Sequence, residues 1–243
     1  MTDPSLVQEL EDIRSKRGYL LPHHGLMAVS MPEVLEAYDS LYSRLTLSHR
    51  TLSKHEHEFV WMAVLVAMHE ALGTHHIPRY LQAGGSLDEF TRIVTLTALA
   101  KGSDCHEFVH AHWLPHLTDF DAEQAYVTEY ERAAGPLPLA LAHMAGAAVH
   151  LCTGRWDCFA WQLKAAYARD VNEQGLAEAL SLAMFPGSVP HFVEAAAVWQ
   201  RLIASGSVSA SDAFTTWASL TGQGGFDEAA GIRSDTEVPG GSQ

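Results

Sequence analysis

The chain runs to 243 residues, 47% hydrophobic and 18% charged, a composition that builds a core and not a disordered chain. Its formal net charge of −14 sets up a field that repels phosphate backbones and anionic headgroups, so nucleic acid and membrane surfaces are not expected as partners. Three irregularly spaced cysteines (Cys105, Cys152 and Cys158) without a CxxC exclude a disulfide framework, and the polar opening "MTDPSLVQELEDIRSKRG" does not read as a signal peptide. A cytoplasmic protein is expected.

In chain order, "RGYLLPHHG" (17–25) reads as a loop whose histidines could lid a pocket, which makes His24 a candidate substrate contact. Ser30 and Pro32 then open a helix over "MPEVLEAYDSLYSRL". Ser53 and Glu56 form a capping box before "FVWMAVLVAM" (59–68), a ten-residue apolar run too short for the ~20 residues that span a bilayer, and therefore a buried core helix. Gly73 is expected to end that helix and Thr74 to cap the next, leaving His75 and His76 in its first turn with Pro78. There the free amides would attract an anion and keep an imidazole neutral, available as a base. Ser86 with Glu89 opens "FTRIVTLTALAKG", and Asn172 caps "EQGLAEALSLAMF". No period-2 strand is found, so the predicted class is all-α. From Gly222 the Gly-, Ser- and acid-rich "GQGGFDEAAGIRSDTEVPGGSQ" reads as a flexible tail, leaving 1–221 as one all-α domain.

An internal repeat runs through the chain. Shifted by 86 residues, "HHIPRYLQAGGSLDEFTRIVTLTAL" falls on "WQLKAAYARDVNEQGLAEALSLAMF", and "EFVHA" (107–111) falls on "HFVEA" (191–195) with a two-residue slip. The units span about 30–118 and about 137–205, joined by the acidic helix "DAEQAYVTEYERAAG".

"CHEFVHAHWLPH" (105–116) places His106 with His110, and His112 with His116, at the i, i+4 spacing that can chelate a metal. A metal-dependent enzyme built on these histidines is one alternative. A non-enzymatic oligomeric binding protein is another. No metal site is assigned.

The stretch "LSKHEHEFVWMAVLVAMHEALGTHHIPRYLQAGGSLDEF" resembles the carboxymuconolactone decarboxylase and alkylhydroperoxidase D superfamily. That core has a glutamate opening an apolar helix, a histidine 18 or 19 residues later, then a glycine, a small polar residue and acids. Glu58, His76, Gly84, Ser86 and Glu89 match it, and the second unit resembles a degenerate copy. The peroxidase branch's CxxC positions hold His69 and Leu72 here, so a thiol relay is not expected. The thiol-free branch's extra glutamate is replaced by Leu72, with Glu70 two residues earlier.

The resemblance implies tandem helical units, a homo-oligomer (trimer or hexamer), no cofactor, and carbon–carbon lyase chemistry on a small carboxylated lactone or keto acid of aromatic-compound catabolism. His76 is then the general acid/base, Glu58 its partner, and His69, read on the apolar helix face, a further active-site residue. His75, Arg79 and Glu70 join His24 as substrate contacts. Along one continuous helix Glu58 and His76 would stand about 27 Å apart, so the chain must fold back between them. The second unit's counterpart of His76 is Gln162, which cannot act as a base; one site per chain is expected.

Overall fold

The structure is a computed structural model and describes residues 4–48 and 50–223. These residues are helical with no strand among them. The tail expected from Gly222 lies, except for its first two residues, outside the described residues. The chain divides into two compact units at Lys54 and His55.

The first unit comprises α1 (Pro4–Arg17), α2 (Pro22–Ser30), α3 (Pro32–Tyr42) and a π-helical turn, Ser43–Leu47. Each α-helix opens on proline, whose missing N–H costs nothing at that position. Ile13, Ala28 and Leu35 form its core, with Leu10, Leu20 and Tyr38 against them. Of residues 17–25 only 18–21 form a loop; His23 and His24, expected on it, lie in the first turn of α2. The buried Arg17 guanidinium bonds Asp39 at 2.6 Å and lies 4.2 Å over the Tyr42 ring.

The second unit holds α4 (Lys54–Met68), a 3₁₀ turn (Ala71–His75) leading into α5 (His76–Gln82), α6 (Leu87–Lys101), α7 (Asp104–His112), α8 (Ala122–Ala134), α9 (Leu139–Thr153), α10 (Trp156–Tyr167), α11 (Glu173–Leu182), α12 (Val189–Ala204) and α13 (Asp212–Ala218). Its two most buried helices are α4 and α9, apolar on every side, as a central helix must be. Around α9 pack α6, α10, α11 and α12. No single helix among the described residues is long and apolar enough to cross a membrane.

Helices open at 54, 71, 87 and 104, and again at 139, 156, 173 and 189, offsets of 85, 85, 86 and 85 residues. Their ends are built alike. Past α4, His69 sits at φ 55° while its N–H bonds Val66 O and the Glu70 N–H bonds Leu65 O; past α9, Gly154 at φ 66° repeats this with Leu151 O and His150 O. Both are Schellman closures, which need a left-handed residue and favour glycine. The same closure follows α5 at Gly84 (φ 101°) and α10 at Asp170 (φ 53°). Ser86 and Asn172 cap α6 and α11 as expected, accepting from the Glu89 and Gly175 N–H groups.

Candidate active site

The chain turns back at His69, not at Gly73. Glu70 caps the following turn through Oε1, which accepts the Leu72 N–H at 2.8 Å. The 3₁₀ turn of 71–75 then runs unbroken into α5, and the His76 N–H is already bonded to Gly73 O and Thr74 O. Thr74 is thus no N-cap, and His75 and His76 do not stand at a free helix end; the anion site expected from free amides there is absent. Gly73 is small for another reason. A Cβ on it would lie 2.6 Å from the Leu65 methyls, so glycine lets the returning turn lie against α4.

This fold-back joins the two residues singled out in the sequence. His76 Nδ1 lies 2.7 Å from Glu58 Oε2, and both side chains are buried, at 2% and 4% exposure for the residues. The Trp61 indole stacks on the His76 ring at 4.6 Å between centroids and 28° between planes, and the His75 ring lies tilted by 42° with its centroid 4.4 Å from that of His76. His57 Nδ1 is 3.8 Å from Glu58 Oε1. Burial pushes the Glu58 carboxyl up, but the two imidazoles beside it outweigh burial and bring it down to about 2. Burial lowers the His76 pKa, helped by Arg79 and opposed by Glu58. At neutral pH the pair is therefore a carboxylate and a neutral imidazole. A carboxylate only accepts, so the proton sits on Nδ1 and the Nε2 lone pair is left as the base. Nε2 meets no hydrogen-bond partner among the described residues.

His75 is half-buried, its Nδ1 3.3 Å from Leu72 O, and burial with His76 and Arg79 lowers it to about 4. Arg79 is half-buried, with Nη1 sealed from solvent and without an acceptor. Three other expectations change. His69 does not sit on the apolar face of α4: it lies beyond the helix end, exposed, with Nε2 3.2 Å from Lys101 Nζ. Glu70 is exposed and occupied as a cap. His24 belongs to the first unit, fully buried on α2, where Nδ1 accepts the Leu21 N–H and Nε2 lies 3.0 Å from Arg17 Nη1. It is a core residue of that unit, with burial holding its pKa down at about 4.

The second segment carries a different polar cluster, which sequence reading missed. His143 Nδ1 is 2.6 Å from Gln162 Oε1, and its Nε2 is 3.2 Å from Glu131 Oε1. Gln162 Nε2 donates to Tyr126 Oη at 2.8 Å, and that hydroxyl lies 2.7 Å from His150 Nε2. Glu58 and His143 are each the fifth residue of their helix. From the start of the following turn to His76 is five steps of 3₁₀ helix at about 120°; from Trp156 to Gln162 is six steps of α-helix at about 100°. Both come to about 600°, so the two residues face the same way. The partners lie 12 to 36 residues apart along the chain, which no local pattern reveals.

Cys152 and Cys158 are buried. Burial pushes the Cys158 thiol up and the Cys152 thiol up to about 12, the wrong direction for a nucleophile. Among the described residues no three His, Cys, Asp or Glu side chains converge as metal ligands, the 105–116 histidines included. Comparisons of the chain with protein-family models, with curated proteins and with solved structures find no match.

Proposed function

We propose that Glu58 and His76 form a general acid–base centre of a cofactor-free carbon–carbon lyase, built on tandem units resembling carboxymuconolactone decarboxylases. The observation that carries this reading is the buried 2.7 Å contact with an unpartnered Nε2 on the far side of the ring. The recurrence of helix starts, caps and closures at offsets of 85 and 86 residues supports the tandem architecture.

The substrate class is a small carboxylated lactone or keto acid. When the bond to its carboxylate breaks, CO₂ leaves and the electron pair passes to the adjacent carbonyl oxygen as an enolate. His76 Nε2, having taken a proton from solvent, delivers it to the carbon, and Glu58 stabilises the imidazolium between the two steps. His75 and Arg79 flank the substrate. The partner is that small molecule, in a homo-oligomer such as a trimer or hexamer. The test offers the purified protein a panel of β-keto acids and carboxylated lactones and follows CO₂ release. A His76→Ala protein with undiminished turnover removes the mechanism.

A second reading makes the pair an internal cross-link of a non-enzymatic helical protein. One observation favours it: the described cavities of about 510, 540 and 570 Å³ are lined by residues between 121 and 223, away from the pair. A protein that releases CO₂ from none of the panel, while His76→Ala loses stability, selects that reading.

A further inference from the structure

The environment of the pair contains two donors with nothing to donate to. Trp61 Nε1 is buried without a hydrogen-bond partner, in a residue 3% exposed. Arg79 Nη1 is in the same condition. A buried N–H without an acceptor has lost its water and gained nothing, which proteins largely avoid. Both donors lie beside the same imidazole: the indole is stacked on the His76 ring, and the guanidinium charge acts on both His76 and His75.

The second segment treats the matching positions differently, although it too has a buried nitrogen without a partner, His150 Nδ1. At the 85-residue offset the place of Trp61 is taken by Gly146, and a Cβ there would already lie 2.7 Å from Tyr130 Oη and 2.8 Å from Gln162. There His143 has both ring nitrogens engaged and Gln162 is bonded through both amide atoms. Where the first segment has Trp61 with an idle N–H, the second has a glycine whose space Tyr130 and Gln162 fill.

We propose that Trp61 Nε1–H and Arg79 Nη1 together bind the oxygen atoms of an acid with at least two acceptor groups, the guanidinium taking the carboxylate and the indole N–H taking the carbonyl oxygen that becomes the enolate. The inference rests on the acid–base reading of His76 for the role of this oxygen, and it adds Trp61 as a donor that touches substrate. Trp61 serves this role because an indole is donor-only and apolar elsewhere, so it can sit in a sealed core and still favour an anionic oxygen. The ligand class is accordingly a keto acid or carboxylated lactone, not a simple carboxylate that lacks a second acceptor group.

Oxalate, a small dianion that presents two acceptor groups at once, is the probe, with acetate, which presents one, as the comparison. In ¹⁵N-labelled protein the Trp61 indole N–H resonance moves downfield on adding oxalate and does not on adding acetate. Trp61→Phe, which keeps the stacked ring and removes the N–H, weakens oxalate binding about tenfold, as does Arg79→Gln. The titration of the wild-type protein decides the matter even if Trp61→Phe does not fold. Oxalate bound with the Trp61 resonance unmoved, oxalate bound equally by Trp61→Phe, or no binding at all overturns the proposal. The readouts separate it from the lyase reading. Turnover lost in His76→Ala with Trp61 unmoved by oxalate keeps the base and removes the donor. Oxalate sensed by Trp61 in a protein without lyase activity keeps the binding site and removes the chemistry.

Discussion

Residues 54–112 and 139–204 repeat helix starts, one N-cap and two left-handed closures around two different polar centres. In the first, a carboxylate on the buried helix meets an imidazole whose other nitrogen is unengaged. In the second, the buried helix supplies the imidazole, the facing residue is an amide, and Glu131 occupies the nitrogen that would otherwise be available. Exchanging which helix carries the imidazole, and placing a carboxylate on its remaining nitrogen, leaves the second imidazole with both ring nitrogens engaged where the first has one open. The chemistry of a buried histidine is therefore set less by the histidine than by what meets its second nitrogen. A buried polar network with every member paired rigidifies; one with an open position can react.

The largest effect that tests this contrast is on rate. Glu58→Gln removes the carboxylate that orients His76 and should lower CO₂ release about 10²- to 10⁴-fold, whereas Gln162→Leu should leave it unchanged in steady-state kinetics. Equal losses from both would erase the distinction between the segments. Next comes packing. Gly146→Ala drives a methyl against Tyr130 Oη and Gln162 and should cost about 1–3 kcal/mol by urea unfolding. Gly73→Ala meets only the rotatable Leu65 methyls and should cost clearly less.

Acid should separate the segments too. Burial lowers His150 to about 3, so between pH 6.5 and 3 the unfolded chain binds a proton there that the folded chain refuses. Stability from this group is present above pH 6.5 and falls as pH falls, by about 2 kcal/mol between pH 7 and 5. His150→Phe should be less stable at pH 7, since Tyr126 loses one of its two hydrogen-bond partners, yet show a shallower pH slope; an equal or steeper slope contradicts the assignment. Glu58 acts in a lower window: its contribution is held above pH 4.5 and lost as pH falls toward 2. The smallest expected effects are gains. His69→Gly and Asp170→Gly place glycine at the left-handed positions where the matching closures already have it, at Gly154 and Gly84, and should each stabilise by about 1 kcal/mol in thermal unfolding.

Much of the helical framework is legible from neighbours in the chain. Ser86 and Asn172 announce their helices because a cap is a bond across three residues. Gly73 misleads because glycine has two uses; here it permits close approach to Leu65, not a helix stop. His69 goes unnoticed as the turning point because a left-handed closure is usually read from glycine. His24 misleads in the other direction: Pro22 opens a helix there, and a histidine that looks loop-borne ends in a core. Trp61 is concealed inside an apolar run, where an indole is indistinguishable from any other core residue until its N–H is seen to lack an acceptor.

By itself, then, the chain specifies that it is helical and where most of its caps and breaks lie; that Glu58 and His76 are a pair to bring together comes from a resemblance. Only the tertiary structure decides that they meet, that His69 and Glu70 turn outward, and that the second segment seals its own histidine. The physical reason is range. Propensity and capping act within a turn of helix, whereas a contact across 18 residues depends on a left-handed closure and on the rotation of a 3₁₀ turn, neither of which leaves a reliable mark on the residues that finally touch.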